Sequence, residues 1–180
     1  ANERIGFIGV GLMGHGMAKN LVDKGYPLTI MANRNRTPVD DLVKRGAVEA
    51  KTPREVAQRS TIIFLCVTGA KEVEQIVRGP EGIKSGAKPG LVIVDCSTTD
   101  PASTLALHEE LKPLGVTLID APLGGTPAQA QTGELSAMVG ADAATFARVK
   151  PVIEAWAARV VHVGDVGVGH KMKLLNNFLS

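Results

Sequence analysis

Residues 6–21, GFIGVGLMGHGMAKNL, hold three glycines within six positions, Gly9, Gly11 and Gly14, between a short apolar run and a helix-like pattern. The run at residues 5–10 is too short for a helix and halts at glycine, so it reads as a fully buried strand. Residues 13–24 then carry Met13, Met17, Ala18, Leu21 and Val22 on one helical face, with Gly25 just past the end. Strand, glycine turn and helix in that order leave few architectures open. The glycines fit G-x-G-x-x-G, in which the first makes a tight turn, the second lets a diphosphate approach the main chain and the third lets helix pack on strand. Unpaired N–H groups and the partial positive charge of the helix start face the same place. Gly9, Val10, Gly11, Leu12, Met13 and Gly14 are therefore cofactor-binding candidates.

The alternation continues along the chain. Strands are expected at residues 28–32, 62–67, 91–95, 117–121, 135–139 and 160–163, and helices at 39–45, 70–77, 102–112 and 143–157, the last capped by Asp142. Buried parallel strands need crossover helices, so the expected fold is α/β: a doubly wound, Rossmann-type, mostly parallel sheet with its ligand at the carboxyl ends of the strands. With 180 residues, 44% hydrophobic and 21% charged, the chain holds one ordinary core. That domain is assigned to residues 1–165. Beyond it, Gly167 and Gly169 introduce a helical pattern through Met172, Leu174, Leu175 and Phe178 that is still running at Ser180. Residues 166–180 are expected to begin an interdomain helix leading to a further domain that this chain lacks.

Several classes of function are disfavoured. A net charge of +2 with scattered basic residues argues against a nucleic-acid surface. No apolar stretch reaches the roughly 20 residues of a membrane span, and the N-terminus lacks a charged-then-apolar leader, so a cytoplasmic location is expected. Cys66 and Cys96 lie in or beside β-branched runs and read as buried thiols. No His, Cys and carboxylate cluster has metal-ligand spacing, and no G-x-S-x-G elbow is present.

At the end of the second expected strand a nucleotide without a 2'-phosphate is usually met by Asp or Glu. Here the chain reads ANRNRTP over residues 32–38, with no acid until Asp40. Arg34 and Arg36, next to Asn33, suit an added phosphate because a guanidinium grips phosphate oxygens through paired hydrogen bonds. NADP is favoured over NAD.

Four ordered stretches together resemble the β-hydroxyacid dehydrogenases, the family of 3-hydroxyisobutyrate dehydrogenase, tartronate semialdehyde reductase and their 6-phosphogluconate dehydrogenase relatives: IGFIGVGLMGHGMAKNL, VDCSTTDP, DAPLGGTPAQAQTGELSAMVG and GVGHKMKLLNN. The resemblance implies an NAD(P)-dependent oxidoreductase acting on a small β-hydroxyacid, a homo-oligomer when full length, whose second, all-helical domain is absent here. It places the catalytic lysine at Lys173 and a substrate-binding asparagine at Asn177, four residues apart on one helix face. Lys171 is the rival, turned to a different face. It also implies a carboxylate site at Gly124, Gly125 and Thr126, where glycine-turn amides form an anion-binding concavity; Gly124 stands where relatives carry Ser, and Thr126 where they carry Gly. Val67, Thr68 and Thr98 fall where relatives touch the nicotinamide ribose. Ser97 is assigned to substrate contact, with capping of the following segment as the alternative. His170 is the one histidine near this chemistry. A cofactor-binding module without turnover is the competing reading.

Overall fold

A computed structural model of the chain describes residues 2–32 and 34–179. In chain order the elements are β1 (Ile5–Ile8), α1 (Leu12–Asp23), β2 (Leu28–Met31), α2 (Arg36–Lys44), β3 (Val48–Ala50), α3 (Pro53–Arg59), β4 (Ile62–Leu65), α4 (Ala70–Arg78), α5 (Ile83–Gly86), β5 (Val92–Asp95), α6 (Pro101–Leu111), β6 (Thr117–Asp120), β7 (Leu123–Gly124), α7 (Pro127–Thr132), β8 (Leu135–Gly140), α8 (Ala143–Ile153), β9 (Ala157–Gly164) and α9 (Val168–Leu179).

Strands β3-β2-β1-β4-β5-β6 lie side by side in that order and all run parallel. The chain winds outward from β1 to β3, then returns to β4 and winds the other way, so the order reverses between β1 and β4. This is the Rossmann-type sheet. An antiparallel extension follows, with β8 pairing β6 and β7 in antiparallel and β9 in parallel.

The central strands are apolar on both faces because helices cover both. Alternate residues divide between two cores: Ile5, Phe7, Ile62, Phe64, Val92 and Val94 pack on one side, Ile8, Ile63, Leu65 and Ile93 on the other. Phe64 links Phe7, with ring centroids 6.1 Å apart, to the fully buried Trp156, which meets it edge-on at 5.8 Å. Cys66 and Cys96 are free thiols, and burial pushes Cys66 up to about 11 and Cys96 well above its ordinary value.

Several boundaries differ from the sequence expectation. The first strand stops at Ile8 rather than residue 10, because Gly9 turns the chain with φ +107°. The helix expected over 143–157 ends at Ile153; Trp156 leaves the helical face for the core, and β9 begins at Ala157 instead of residue 160. Asp142 caps α8 as expected, its carboxylate accepting from Thr145 N–H at 2.9 Å. The helices α3, α5 and α7 and the strands β3 and β7 were not expected. Among the described residues, no helix is long and apolar enough to cross a membrane.

Candidate functional site

The glycine turn lies at the point where the strand order reverses, and its three glycines are required for different reasons. A Cβ on Gly9 would stand 2.1 Å from the Cys66 carbonyl oxygen, at the end of the adjacent β4. One on Gly14 would stand 1.9 Å from the Gly9 carbonyl oxygen and 2.9 Å from the Phe7 ring. Both are excluded by the fold itself. At Gly11, where φ is −81°, a Cβ would meet nothing within 4 Å. That bare main chain borders a cleft of about 530 Å³, walled by α1 through Leu12 and His15, by the start of α2 through Asn35 and Thr37, and by α7 through Pro127 and Gln131.

No side chain caps α1 and no acid occupies its first turn. A diphosphate fits this geometry, since main-chain N–H groups and the positive helix end meet it with no side chain in the way. Leu12 is exposed on the cleft, whereas Val10 is fully buried and Met13 packs against the core, so their side chains serve the fold and only their main chain borders the turn.

After β2, Asn33 lies outside the described residues. Arg34 is exposed and no described residue pairs with it. Arg36 departs from the expectation of a phosphate-gripping side chain: its guanidinium donates to both carboxylate oxygens of Glu49, at 2.7 and 2.9 Å, and to Asp40 at 3.2 Å. Asn35, unremarked in the sequence, caps α2 by accepting from Thr37 N–H at 3.2 Å.

Val67 and Thr68 follow β4 and Thr98 follows the adjacent β5, with the Thr98 carbonyl 4.0 Å from where a Gly69 Cβ would lie. Thr68 donates its hydroxyl to Glu72. Thr98 is exposed. Ser97 is buried and braces the two strand ends: its hydroxyl accepts from Val67 N–H at 2.9 Å and its own N–H donates to Asp95 at 2.9 Å. The suggested capping role for Ser97 is corrected, because Asp100 caps α6 by accepting from Ala102 N–H at 3.0 Å.

The residues expected to form a carboxylate site, Gly124, Gly125 and Thr126, lie at the end of β7 and in the turn that follows it. Gly125 has φ +127°, and a Cβ there would lie 2.8 Å from both Gln129 and Leu135. At Gly124 a Cβ would lie 2.5 Å from the Ser136 hydroxyl of the paired strand. Thr126 is corrected as an amide donor to substrate. It caps α7 in a reciprocal pair, its N–H donating to Gln129 Oε1 at 2.9 Å and its hydroxyl accepting from Gln129 N–H at 3.2 Å.

Two features of this region escaped the sequence reading. The first is α7, pinned to α1: the Asn20 amide donates to Gly16, Ala130 and Gln131 carbonyls at 2.9, 2.9 and 3.2 Å. A Cβ on Gly16 would lie 2.6 Å from the Ala130 carbonyl carbon. The second is Asp120, fully buried, which accepts from Gly167 N–H and His170 N–H at 2.7 Å each and so closes the start of α9. Burial pushes the carboxyls of both Asp120 and Asp95 above the usual range.

His170 is a fastener. Its ring nitrogens are 2.8 Å from the Thr104 hydroxyl and 2.8 Å from the Ser97 carbonyl, and its side chain is buried. Three residues on, Lys173 is half-buried and donates from Nζ to the Leu123 carbonyl at 2.9 Å, beside the Gly124–Gly125 turn. Lys171 is exposed, and Asn177 follows Lys173 by one helical turn on an exposed stretch of α9. Among the described residues, no cluster of three or more His, Cys, Asp or Glu has metal-holding geometry.

The model of the NAD-binding domain of 6-phosphogluconate dehydrogenase matches residues 4–164. The chain is 39% identical over 179 residues to 2-(hydroxymethyl)glutarate dehydrogenase of Eubacterium barkeri, covering 98% of this chain and 58% of that protein. It is 37% identical over 177 residues to 2-hydroxy-3-oxopropionate reductase of Escherichia coli K12, covering 98% of this chain and 60% of that protein. Among solved structures, 3-hydroxyisobutyrate dehydrogenase of Mycobacterium tuberculosis with L-serine superposes with a TM-score of 0.91 at 25% identity, over 99% of this chain and 60% of that one. The chain thus spans about 60% of the length of the relatives it matches.

Proposed function

Since the chain belongs to the family of NAD-binding domains typified by that of 6-phosphogluconate dehydrogenase, we propose that it forms the nucleotide-binding part of an NADP-preferring dehydrogenase acting on a small β-hydroxyacid. The substrate class is a three- or four-carbon acid interconverted with its semialdehyde, with tartronate semialdehyde (2-hydroxy-3-oxopropionate) the first candidate and 3-hydroxyisobutyrate the second. The observation that carries the reading is the open space at Gly11, where a side chain would meet none of the described residues, at a helix start on the edge of a cleft. Arg34, exposed with no described residue to neutralise it, supports the preference for a 2'-phosphate.

The roles are assigned from the family resemblance, and the geometry supports them. Gly9, Gly11 and Leu12 meet the diphosphate through main chain, and Gly14 lets α1 pack close beneath it. Val67, Thr68 and Thr98 border the nicotinamide end at the tips of β4 and β5, while Ser97, expected from the sequence to touch substrate, is buried and braces these tips. When bound, the nicotinamide supplies or accepts a hydride at the carbonyl carbon. Lys173 holds a proton at Nζ and donates it to the carbonyl oxygen as charge develops there, acting as general acid. Gly124 and Gly125 offer amides to the substrate carboxylate, and Asn177 orients the substrate from the helix face that carries Lys173. The active form is a homo-oligomer that includes further chain.

The reading is tested by following NADPH and NADH oxidation with tartronate semialdehyde. Turnover faster with NADPH is expected. Nucleotide binding by the full-length protein with no turnover of any small semialdehyde acid would leave only a binding module.

A further inference from the structure

Arg34 and Arg36 are equivalent in the sequence and unequal in the structure. Arg34 projects from the bend after β2 with no described partner. Arg36, the first residue of α2, places Nη1 and Nη2 on Glu49 of the edge strand β3, and Nη2 also reaches Asp40. Its neighbours Asn35 and Thr37 line the cleft, and neither Arg36 nor Arg34 does, so the two arginines differ in their partners and not in their place at its wall. A bidentate pair uses the same fork of N–H groups that would grip a phosphate, so Arg36 can serve one partner or the other.

We propose that Glu49 is a specificity-determining residue for the nucleotide: by holding Arg36 against β3 it withholds that cation from the adenosine end of the cleft and leaves Arg34 as the reader of a 2'-phosphate. The proposal rests on the dinucleotide reading given above. If Arg36 were to leave Glu49 for a phosphate, it would strand a carboxylate next to a dianion, a repulsion that NADH, lacking the 2'-phosphate, does not feel. Glu49 therefore keeps the preference for NADPH over NADH below the level that two available arginines would give. The pair has a second effect that must be told apart from this one. A cation in the first helical turn opposes the helix dipole, and Glu49 and Asp40 neutralise it while tying α2 to β3. A tie of that kind alone would change melting temperature and leave nucleotide discrimination where it was.

The test is a set of dissociation constants for NADPH and NADH, read from the fluorescence of the reduced nicotinamide, on the wild type and on R34A, R36A, E49Q and R36A/E49Q, with thermal melts of each. E49Q is expected to raise the NADPH-over-NADH affinity ratio about fivefold. R36A should change it less than about twofold, R34A should lower it about tenfold or more, and the gain from E49Q should disappear in R36A/E49Q. A ratio unmoved by E49Q, a loss in R36A as large as in R34A, or a gain that persists in R36A/E49Q would overturn the proposal. If the wild type prefers NADH and E49Q moves it towards NADPH, the proposal stands and the NADP preference falls. If the wild type binds neither nucleotide, the dinucleotide reading falls and takes the proposal with it.

Discussion

The amine of Lys173 lies 2.9 Å from the carbonyl oxygen of Leu123, so a helix from the end of the chain and the loop after β6 meet at one hydrogen bond. That bond holds the amine next to the Gly124–Gly125 turn. Replacing Lys173 with Ala is expected to lower turnover about 10²- to 10⁴-fold, the usual loss for a positioned acid, while Lys171→Ala stays within about threefold. Steady-state rates with tartronate semialdehyde and NADPH check this, and equal losses in the two variants would return the assignment to open choice between them.

The start of α9, and with it Lys173, depends on a charged cap. Asp120→Asn keeps the shape of the side chain but turns an N–H group towards Gly167 N–H or His170 N–H, both of which are buried donors. A loss of about 1–3 kcal/mol in denaturant-determined stability is expected from the unpaired donor. Turnover should fall further than stability does, because the lysine shifts with the helix start.

The glycines of the turn separate fold from ligand. Gly14→Ala must displace the Gly9 carbonyl, at 1.9 Å from the new Cβ, and is expected to cost about 3 kcal/mol or more. Gly11→Ala should cost about 1 kcal/mol or less in stability and still weaken NADPH binding tenfold or more. Thermal melts and nucleotide titrations on the two variants distinguish these outcomes.

Asn20→Ala strips the ends of α7 of donors to the Ala130 and Gln131 carbonyls. The expected cost is about 1–3 kcal/mol. Amide exchange should speed up over residues 127–133, and exchange in the central strands β4 and β5 should change little.

The cap of α8 carries a signed pH dependence. The Asp142 carboxyl is held below its ordinary value by hydrogen bonds from Thr145. Its contribution is therefore fully present above the unfolded value of 3.8 and is lost as pH falls through the lower folded value. Asp142→Ala should cost about 1 kcal/mol at pH 7, and the gap between variant and wild type should shrink in urea melts below pH 3.

The sheet was legible in the sequence because its strands are buried on both faces, which makes continuous apolar runs such as Ile62–Leu65 stand out. The glycine turn was legible for the same reason, bounded by such a run and by a periodic helix. What escaped was short. Strand β3 has three residues, too few for a period, and α3 and α7 have seven and six. Both helices still announce themselves: Thr52-Pro53-Arg54-Glu55 and Thr126-Pro127-Ala128-Gln129 each set a capping Thr before Pro and place an acid or amide three residues on. Reading Thr126 as a cap would have withdrawn its amide from the carboxylate site. The pairing of Arg36 with Glu49 had no sequence signal, since it joins the start of α2 to the edge strand β3, 13 positions on and across the whole helix and the turn after it. Asp120 was visible only as part of a motif, because its partners Gly167 and His170 lie 47 and 50 residues away.

The central claim is that a dinucleotide lies with its diphosphate on the main chain at Gly11. Amide chemical shifts recorded while NADPH is added to the labelled protein test it most directly. The account predicts that the largest changes fall on Gly11, Leu12 and Met13, with a second group at Arg34 and Asn35. Saturable changes centred on other parts of the fold, with the amides of the turn unmoved, would contradict it.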